Sequence, residues 1–205
     1  CKMAFSLGIS SCITQLSSTI LQIAMNNSLV YYGNQTTVTG DVALSAMGIV
    51  MKISMIIVSI CIGIGIGAQP ILGFNRGANQ PKRIKRCYRL ASNTATAVTT
   101  VGWAMFMLIP HIILMLFGSA DANFTSFAIK AMRIFDLGVF CAGFQVTSTS
   151  YFQATGQPMK ASILSSLRQL VLLIPLILIL PLHFGLDGIL YAGPIADITS
   201  AVIIF

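Results

Sequence analysis

The sequence predicts an all-α polytopic membrane protein, built as a bundle of six transmembrane helices. Three observations predict this fold. Of the 205 residues, 56% are hydrophobic and only 8% are charged, whereas soluble domains carry about 25% charged residues. Six apolar segments are each long enough to cross a hydrocarbon core, which takes about 20 helical residues. The basic residues alternate between successive connections, as expected for loops on the two sides of a bilayer.

Glycine- and proline-containing breaks separate the six segments. In chain order, the breaks are YYGNQTTVTGD, GFNRGANQP, FGSAD, ATGQP and LPLHFGLDG. The predicted spans cover residues 5–31, 42–72, 91–117, 124–153, 161–181 and 187–205. The last span is still apolar at Phe205, so we expect that it is cut short and that the chain is part of a longer protein.

The distribution of Lys and Arg predicts the orientation of the bundle. Lys2 precedes the first span, the second loop (73–90) holds six cations, and the fourth loop holds Lys160, while the other loops hold none. The N-terminus and loop 73–90 are therefore expected on the cytoplasmic side. We interpret the loop cations as a topology anchor against anionic lipid; a regulatory or partner surface is the alternative. They are Arg76, Lys82, Arg83, Lys85, Arg86 and Arg89.

The net charge of +7 would also suit a nucleic-acid-binding protein. Here, however, the cations lie between membrane-length apolar segments, so the expected partner is membrane lipid and not nucleic acid.

Polar residues recur every three or four positions in two of the spans. In the first span they are Gln15, Ser18, Gln22 and Asn26, and in the fourth span they are Gln145 and Ser148. This spacing places each set on one helix face. Such a face can line a substrate cavity, or it can form hydrogen bonds between helices. The spacing alone does not separate these two interpretations.

Four charged residues lie deep inside apolar sequence: Lys52, Asp136, Arg168 and Asp197. Counted from the outer face at ~1.5 Å per residue, Lys52 and Asp197 lie roughly 15–16 Å deep, and Asp136 and Arg168 roughly 21–22 Å deep. The matching depths predict the pairs Lys52–Asp197 and Asp136–Arg168. Such charges either neutralise one another structurally or include one that a proton or a cationic substrate engages.

The sequence carries no set of residues typical of an enzyme. It has no Ser/His/Asp set, no phosphate-binding loop and no zinc-ligand spacing, and its five cysteines form no C-x-x-C pair. We therefore expect no catalytic residue, no bound metal and no cofactor.

Four stretches resemble segments of the multidrug and toxic compound extrusion (MATE) family. They are LGISSCITQLSSTI, GIGIGAQPILGFNRGANQPKRIKRCYRLA, YFQATGQPMKASILSSLRQLVLLIPLILILP and FGLDGILYAGPIAD. The second resembles the family segment G-x-x-Q-P-[IL]-x-G-[FY]-N-x-G-A followed by a basic helix start. The first resembles the start of the family's seventh span, the third resembles the junction of its tenth and eleventh spans, and the fourth resembles its twelfth span. The resemblance covers essentially the whole chain in order, and it is closest to the bacterial branch of MepA-type exporters.

The resemblance implies the C-terminal lobe, spans seven to twelve, of a twelve-helix secondary antiporter in the plasma (inner) membrane. The partners implied are the N-terminal lobe, absent from this sequence, and a drug or organic cation exported against sodium or proton entry. One branch of the family has acidic cation ligands in the seventh and tenth spans. The matching positions here, near Gln15 and Ala142, are not acidic. The coupling site is therefore expected in the missing lobe.

Two alternative functions are carried with this one. A flippase of the same superfamily would move a lipid-linked saccharide, and its diphosphate cargo favours cations along the cavity. A membrane module without transport activity is the other alternative. Half of the twelve Lys and Arg residues lie in loop 73–90, which argues against the flippase.

Overall fold

The computed structural model describes residues 2–36, 38–115 and 122–204, and these residues are almost entirely helical. Nine α-helices, one 3₁₀ segment and one π-helical segment make up this described part. They are α1 (Lys2–Gly33), α2 (Gly40–Gly77), α3 (Pro81–Leu108), α4 (Pro110–Met115), α5 (Ala122–Phe135), the 3₁₀ segment (Asp136–Cys141), α6 (Ala142–Ala154), α7 (Pro158–Ser166), the π segment (Leu167–Leu173), α8 (Ile174–Phe184) and α9 (Leu186–Ile204).

The helices follow the order of the six apolar segments. Helices α1, α2 and α9 each account for one segment, and α3 is extended by the short α4. The fourth segment is α5, the 3₁₀ segment and α6 in series, and the fifth is α7, the π segment and α8. The expected ends of the third and sixth spans, residues 117 and 205, lie outside the described residues.

Length and hydropathy alone single out three membrane-length helices among the described residues. These are Gly40–Gly77, the continuous run Pro158–Phe184, and Leu186–Ile203. Helix α2 has 38 residues and is therefore roughly 57 Å long at ~1.5 Å per residue, so it extends beyond a ~30 Å hydrocarbon core. The other segments miss this criterion for local reasons, since α1 carries a polar stripe and α3 begins among the loop cations.

The turns between helices follow local residue preferences. Asn79, between α2 and α3, has φ 55°, a left-handed conformation that Asn adopts more readily than most residues. Gly185, between α8 and α9, has φ 58°, where a side chain would be strained. Pro81 and Pro158 stand in the first turns of α3 and α7, where the missing N–H costs nothing.

Helix α2 packs against α1, α3, α5 and α6. The main apolar core surrounds its first half, from Ala43 to Ile53, with residues of α1, α5, α8 and α9. A smaller apolar cluster surrounds its last third, around Ala68 and Leu72, with Ile84 of α3. The buried Asp136 contacts Ser54, which lies on α2 between these two clusters.

Glycines bring the helix backbones close together where the irregular segments cross their neighbours. A Cβ on Gly143 would lie 2.6 Å from the backbone carbonyl of Ala95, so α6 and α3 touch at this point. A Cβ on Gly138 would lie 2.7 Å from the Cβ of Asp197. Small residues at such crossings allow close packing where no hydrophobic effect drives helices together.

Candidate functional site

A cavity of ≈ 340 Å³ opens between α1, α2, α6 and the region where α7 meets the π segment. It lies along the part of α2 that follows the main core, from Val58 to Gln69. Its wall is mixed, with apolar side chains from α2 and amides and hydroxyls from the other elements. The polar lining residues are Thr14, Gln69, Gln145, Thr149, Ser150, Gln153, Ser165, Arg168 and Gln169.

Helix α6 contributes a stripe of polar residues to this cavity. Gln145, Thr149 and Gln153 are spaced by four positions, so they stack along one face of the helix. Gln69 of α2 donates a hydrogen bond from Nε2 to Oε1 of Gln153 at 3.2 Å. Neutral amides can both donate and accept hydrogen bonds. This face can therefore accommodate ligands of varied chemistry.

A buried ion pair lies at one edge of the cavity. Arg168, on the π segment, contacts Oδ1 of Asp197 through Nε at 2.6 Å and Nη2 at 2.5 Å. The Asp197 side chain is 7% exposed and that of Arg168 is 36% exposed. Gln145 of α6 also binds Asp197, because its Nε2 donates a hydrogen bond to the backbone carbonyl of Asp197 at 2.8 Å.

The charge pairs expected from depth are therefore wrong. Arg168 pairs with Asp197 and not with Asp136, and Lys52 is exposed on α2, away from Asp197. Depth along the helix axis describes the position of the Cα atom, whereas the long Arg side chain reaches a partner at another depth. Asp136 is instead buried, with 1% exposure, and its Oδ1 lies 2.7 Å from Oγ of Ser54.

Two of the three interior charges lie in interruptions of regular α-helix, and the third lies three residues after a proline. Asp136 begins the 3₁₀ segment, Arg168 lies inside the π segment, and Asp197 follows Pro194 within α9. Proline removes one helical hydrogen bond, and π and 3₁₀ stretches inside helices frequently mark functional sites or hinges. The interior charges thus coincide with the backbone that can most easily rearrange.

The structure separates the polar residues that the sequence groups on two faces. Gln145 lines the cavity, and Ser18 reaches its border by donating from Oγ to Oε1 of Gln169 at 3.1 Å. Ser148 lies on the other side of α6, where its hydroxyl is 2.8 Å from that of Tyr88 on α3. The remaining three candidates on α1 are exposed and are not part of the cavity wall; they are Gln15, Gln22 and Asn26.

The sequence places six cations in a loop at 73–90, but the structure places them in helices, with Arg76 in the last turn of α2 and the other five in α3. They lie at the far end of α2 from the main core. All six are exposed, and none forms an ion pair within the described part of the chain. Arg76 and Lys85 border a separate pocket of ≈ 380 Å³ together with Tyr88, Tyr151 and Phe152. Exposed, unpaired cations are free to contact anionic headgroups, which attract such residues at a membrane surface.

Three glutamines of the cavity wall escaped the sequence analysis: Gln69, Gln153 and Gln169. Gln153 had a detectable signal, because it continues the spacing of four from Gln145 and Thr149. Gln69 and Gln169 show no such periodic signal in the sequence, since each is a single amide in an apolar stretch. Only the packing of α2 and the π segment against α6 and α1 brings them to the cavity.

The site contains no nucleophile paired with a base, and the described residues contain no cluster of three or more His, Cys, Asp or Glu side chains. Its chemistry is therefore hydrogen bonding, apolar contact and one neutralised ion pair. These are the means of binding a molecule without transforming it.

The amino-acid sequence is similar to those of known membrane transporters. The MatE family model matches residues 7–179. The multidrug export protein MepA of Staphylococcus haemolyticus (strain JCSC1435) is 24% identical over 197 residues, which cover 96% of this chain and 41% of that protein. The chain thus spans about two fifths of the curated relatives it matches.

Solved structures show the same fold. The crystal structure of MATE in complex with MaL6 superposes with a TM-score of 0.88 at 20% identity, covering 98% of this chain and 44% of that one. An outward-facing conformation of a multidrug resistance MATE family transporter of the MOP superfamily gives a TM-score of 0.85 at 21% identity, covering 97% and 43%.

Proposed function

This chain belongs to the MatE family of membrane transporters, and from that premise we propose that it is the C-terminal lobe, spans seven to twelve, of a secondary antiporter that exports drugs or organic cations. Its fold is an all-helical membrane-type bundle that matches about half of a solved MATE transporter, and it is not an enzyme. The observation that carries the proposal is the amide-lined cavity between α1, α2, α6 and the π segment.

The size of the cavity suits half of a binding site. Pockets for drug-sized ligands measure about 300–1,000 Å³, and this cavity, at ≈ 340 Å³, lies at the lower end of that range. In our proposal a second lobe completes the site, and the two lobes rock around it to open alternately to each side. Sites near the midplane between two repeats are the general arrangement in transporters of this kind.

The lining supports recognition by shape and hydrogen bonding. It holds no carboxylate, and its one charged residue, Arg168, is neutralised by Asp197. Apolar side chains of α2 and amides of α6 line the same cavity, so an organic ion can contact the α2 face while its polar groups reach the glutamines. A lipid-linked diphosphate would favour several unpaired cations here, and this wall offers none.

Coupling to sodium or proton entry and the orientation in the plasma membrane complete the proposal. The exposed, unpaired cations at the junction of α2 and α3 support a cytoplasmic position for that end of the bundle. The acidic ligands that one branch of the family has in these spans are absent near Gln15 and Ala142. This supports a coupling site elsewhere in the transporter.

The test is uptake of a fluorescent organic cation by proteoliposomes holding the full-length transporter, with sodium and pH gradients imposed separately. We expect uptake against the concentration gradient under at least one of them. Replacing Gln153 by Leu removes one hydrogen-bonding group of the cavity and is expected to lower the transport rate ~2- to 10-fold, the equivalent of one hydrogen bond. Gln35→Leu, in the exposed turn after α1, is the matched control and leaves the rate unchanged.

Gradient-independent leakage of the dye, or equal rates for both variants and the parent protein, would refute the proposed site.

A further inference from the structure

The bundle interior holds three charged groups, and only two of them neutralise each other. Arg168 and Asp197 form an ion pair, which leaves Asp136 without a counter-charge. The Asp136 side chain is buried, and its Oδ2 has no hydrogen-bond partner among the described residues. Burying an isolated carboxylate costs far more than burying the neutral acid. The arrangement therefore favours the protonated form.

The hydroxyl of Ser54 gives an independent indication of a proton on Asp136. Ser54 Oγ lies 2.9 Å from the carbonyl oxygen of Val50 and 2.7 Å from Oδ1 of Asp136. A carbonyl oxygen only accepts hydrogen bonds, and a serine hydroxyl has one hydrogen to donate. If Ser54 donates to Val50, the contact with Asp136 requires a hydrogen on the carboxyl group. A neutral Asp136 that donates to Ser54 satisfies both contacts at once.

The neighbouring elements supply no alternative counter-charge. Asp197 of α9 lies close to the 3₁₀ segment. A Cβ on Gly138 of that segment would lie 3.1 Å from Oδ2 of Asp197. That carboxylate adds repulsion and is itself paired with Arg168. Arg133 on α5 is exposed.

The remaining charged side chains on these elements are paired elsewhere or exposed, and the other titratable side chains carry no positive charge. Lys130 of α5 binds Asp187 of α9, and Lys52 of α2 is exposed. Tyr88 and Tyr151, on α3 and α6, pack against each other near the smaller apolar cluster. Cys61 of α2 and Cys141 of the 3₁₀ segment are thiols, which supply no positive charge.

We propose that Asp136 is a proton-binding site of this transporter, loaded in the conformation described and unloaded when the 3₁₀ segment opens to water. On opening, the O–H bond of the carboxyl breaks, the proton passes to water and a carboxylate remains. On closing, the carboxylate takes up one proton and returns to the contact with Ser54. The inference rests on the proposed antiport, and it adds a proton-binding site in this lobe to the coupling site that we propose elsewhere in the transporter.

The geometry favours a proton over a metal cation. Hard metal cations take about six or more oxygen ligands, whereas the one hydrogen-bond partner of the Asp136 carboxyl among the described residues is a serine hydroxyl already shared with Val50. Asp136 begins a 3₁₀ segment inside a longer helix, and such stretches often act as hinges. The site thus combines a buried acid with a backbone that can move it.

The experiment is infrared difference spectroscopy of the purified full-length transporter between neutral and high pH. We expect one carbonyl-stretch band of a protonated carboxyl that disappears at high pH. Asp136→Asn, which keeps the shape and can donate to Ser54, removes this band. The matched control is Asp187→Asn, which changes an exposed aspartate that binds Lys130 and leaves the band in place.

A second variant keeps the inference testable if Asp136→Asn does not fold. Ser54→Ala deletes the hydrogen-bond acceptor of the acid, so the band persists at a shifted frequency. Loss of the band in Asp136→Asn, or the shift in Ser54→Ala, supports the proton site. A band unchanged in both variants, or no such band in the parent protein, overturns it. The measurement involves no transport, so failed dye uptake with an intact Asp136 band would contradict only the proposed function.

Discussion

The ion pair between Arg168 and Asp197 allows a quantitative test of the interior geometry. The perturbation is a double-mutant cycle with Arg168→Met, Asp197→Asn and both together. Met preserves most of the apolar stem of Arg, and Asn preserves the shape of Asp. Each single variant leaves one member of the pair without its counter-charge, and the double variant leaves neither charge.

The two single variants are expected to differ because the partners are buried to different extents. Removing one member of a fully buried pair costs about 3–5 kcal/mol. Arg168→Met leaves a carboxylate whose side chain is only 7% exposed, so we expect ~3 kcal/mol. Asp197→Asn leaves a guanidinium that is 36% exposed and borders the cavity, so solvent screening reduces the expected cost to ~1–2 kcal/mol.

The double variant is expected to be less destabilised than the sum of the two single variants. Groups in direct contact typically show interaction energies of about 0.5–3 kcal/mol, and we expect the upper half of that range here. The assay is equilibrium unfolding of the full-length protein in detergent. Additive losses, or a larger loss for Asp197→Asn than for Arg168→Met, would refute the reasoning, because either would mean that the two groups do not share a buried contact.

Two further substitutions test the packing around the site. Gly143→Ala places a Cβ 2.6 Å from the backbone carbonyl of Ala95 and is expected to cost ~1–3 kcal/mol of stability by overpacking. The control, Gly48→Ala on α2, meets open space and is expected to be neutral or stabilising. Equal melting temperatures of the two variants would contradict the close crossing of α3 and α6. Lys130→Met removes an ion pair whose side chains are 48% and 40% exposed, so unfolding measurements should show a loss below ~1 kcal/mol, and a larger loss would indicate that the pair is buried in the assembled transporter.

The sequence predicted the helical segments well because the signals for them are local. Apolar runs of membrane length and the breaks at Asn79, Gly156 and Gly185 depend only on neighbouring residues. The order of helices follows from the same signals. Span lengths were harder to predict, since α2 extends well past its apolar part as one continuous helix to Gly77.

The pairing of interior charges could not be predicted, because it depends on rotation about each helix axis as well as on depth. The depth count assumed uniform helical rise through the fourth and fifth segments. A 3₁₀ segment begins at Asp136, and a π segment contains Arg168, and both change rise and rotation locally. The actual partner of Arg168 is Asp197, on helix α9, which contains Pro194.

The cavity was predictable in part. Helical spacing assigned Gln145 to a polar face of α6, and the structure places it in the cavity wall. The same spacing placed Ser148 on the face of Gln145. In the structure, the Ser148 side chain is rotated away from the cavity and contacts Tyr88 of α3. Gln69 meets Gln153 only through the packing of α2 on α6, a tertiary contact with no trace in the spacing.

The central claim is that this cavity is a water-accessible surface that binds the exported molecule. Its most direct test is cysteine labelling of the full-length transporter, with the native cysteines replaced, comparing Gln153→Cys in the cavity with Leu178→Cys at an exposed apolar position of α8. We predict that a water-soluble thiol reagent modifies Gln153→Cys, that an organic cation slows this reaction, and that Leu178→Cys reacts little under either condition. Equal reactivity at both positions, or no protection of Gln153→Cys by any transported cation, would contradict the account.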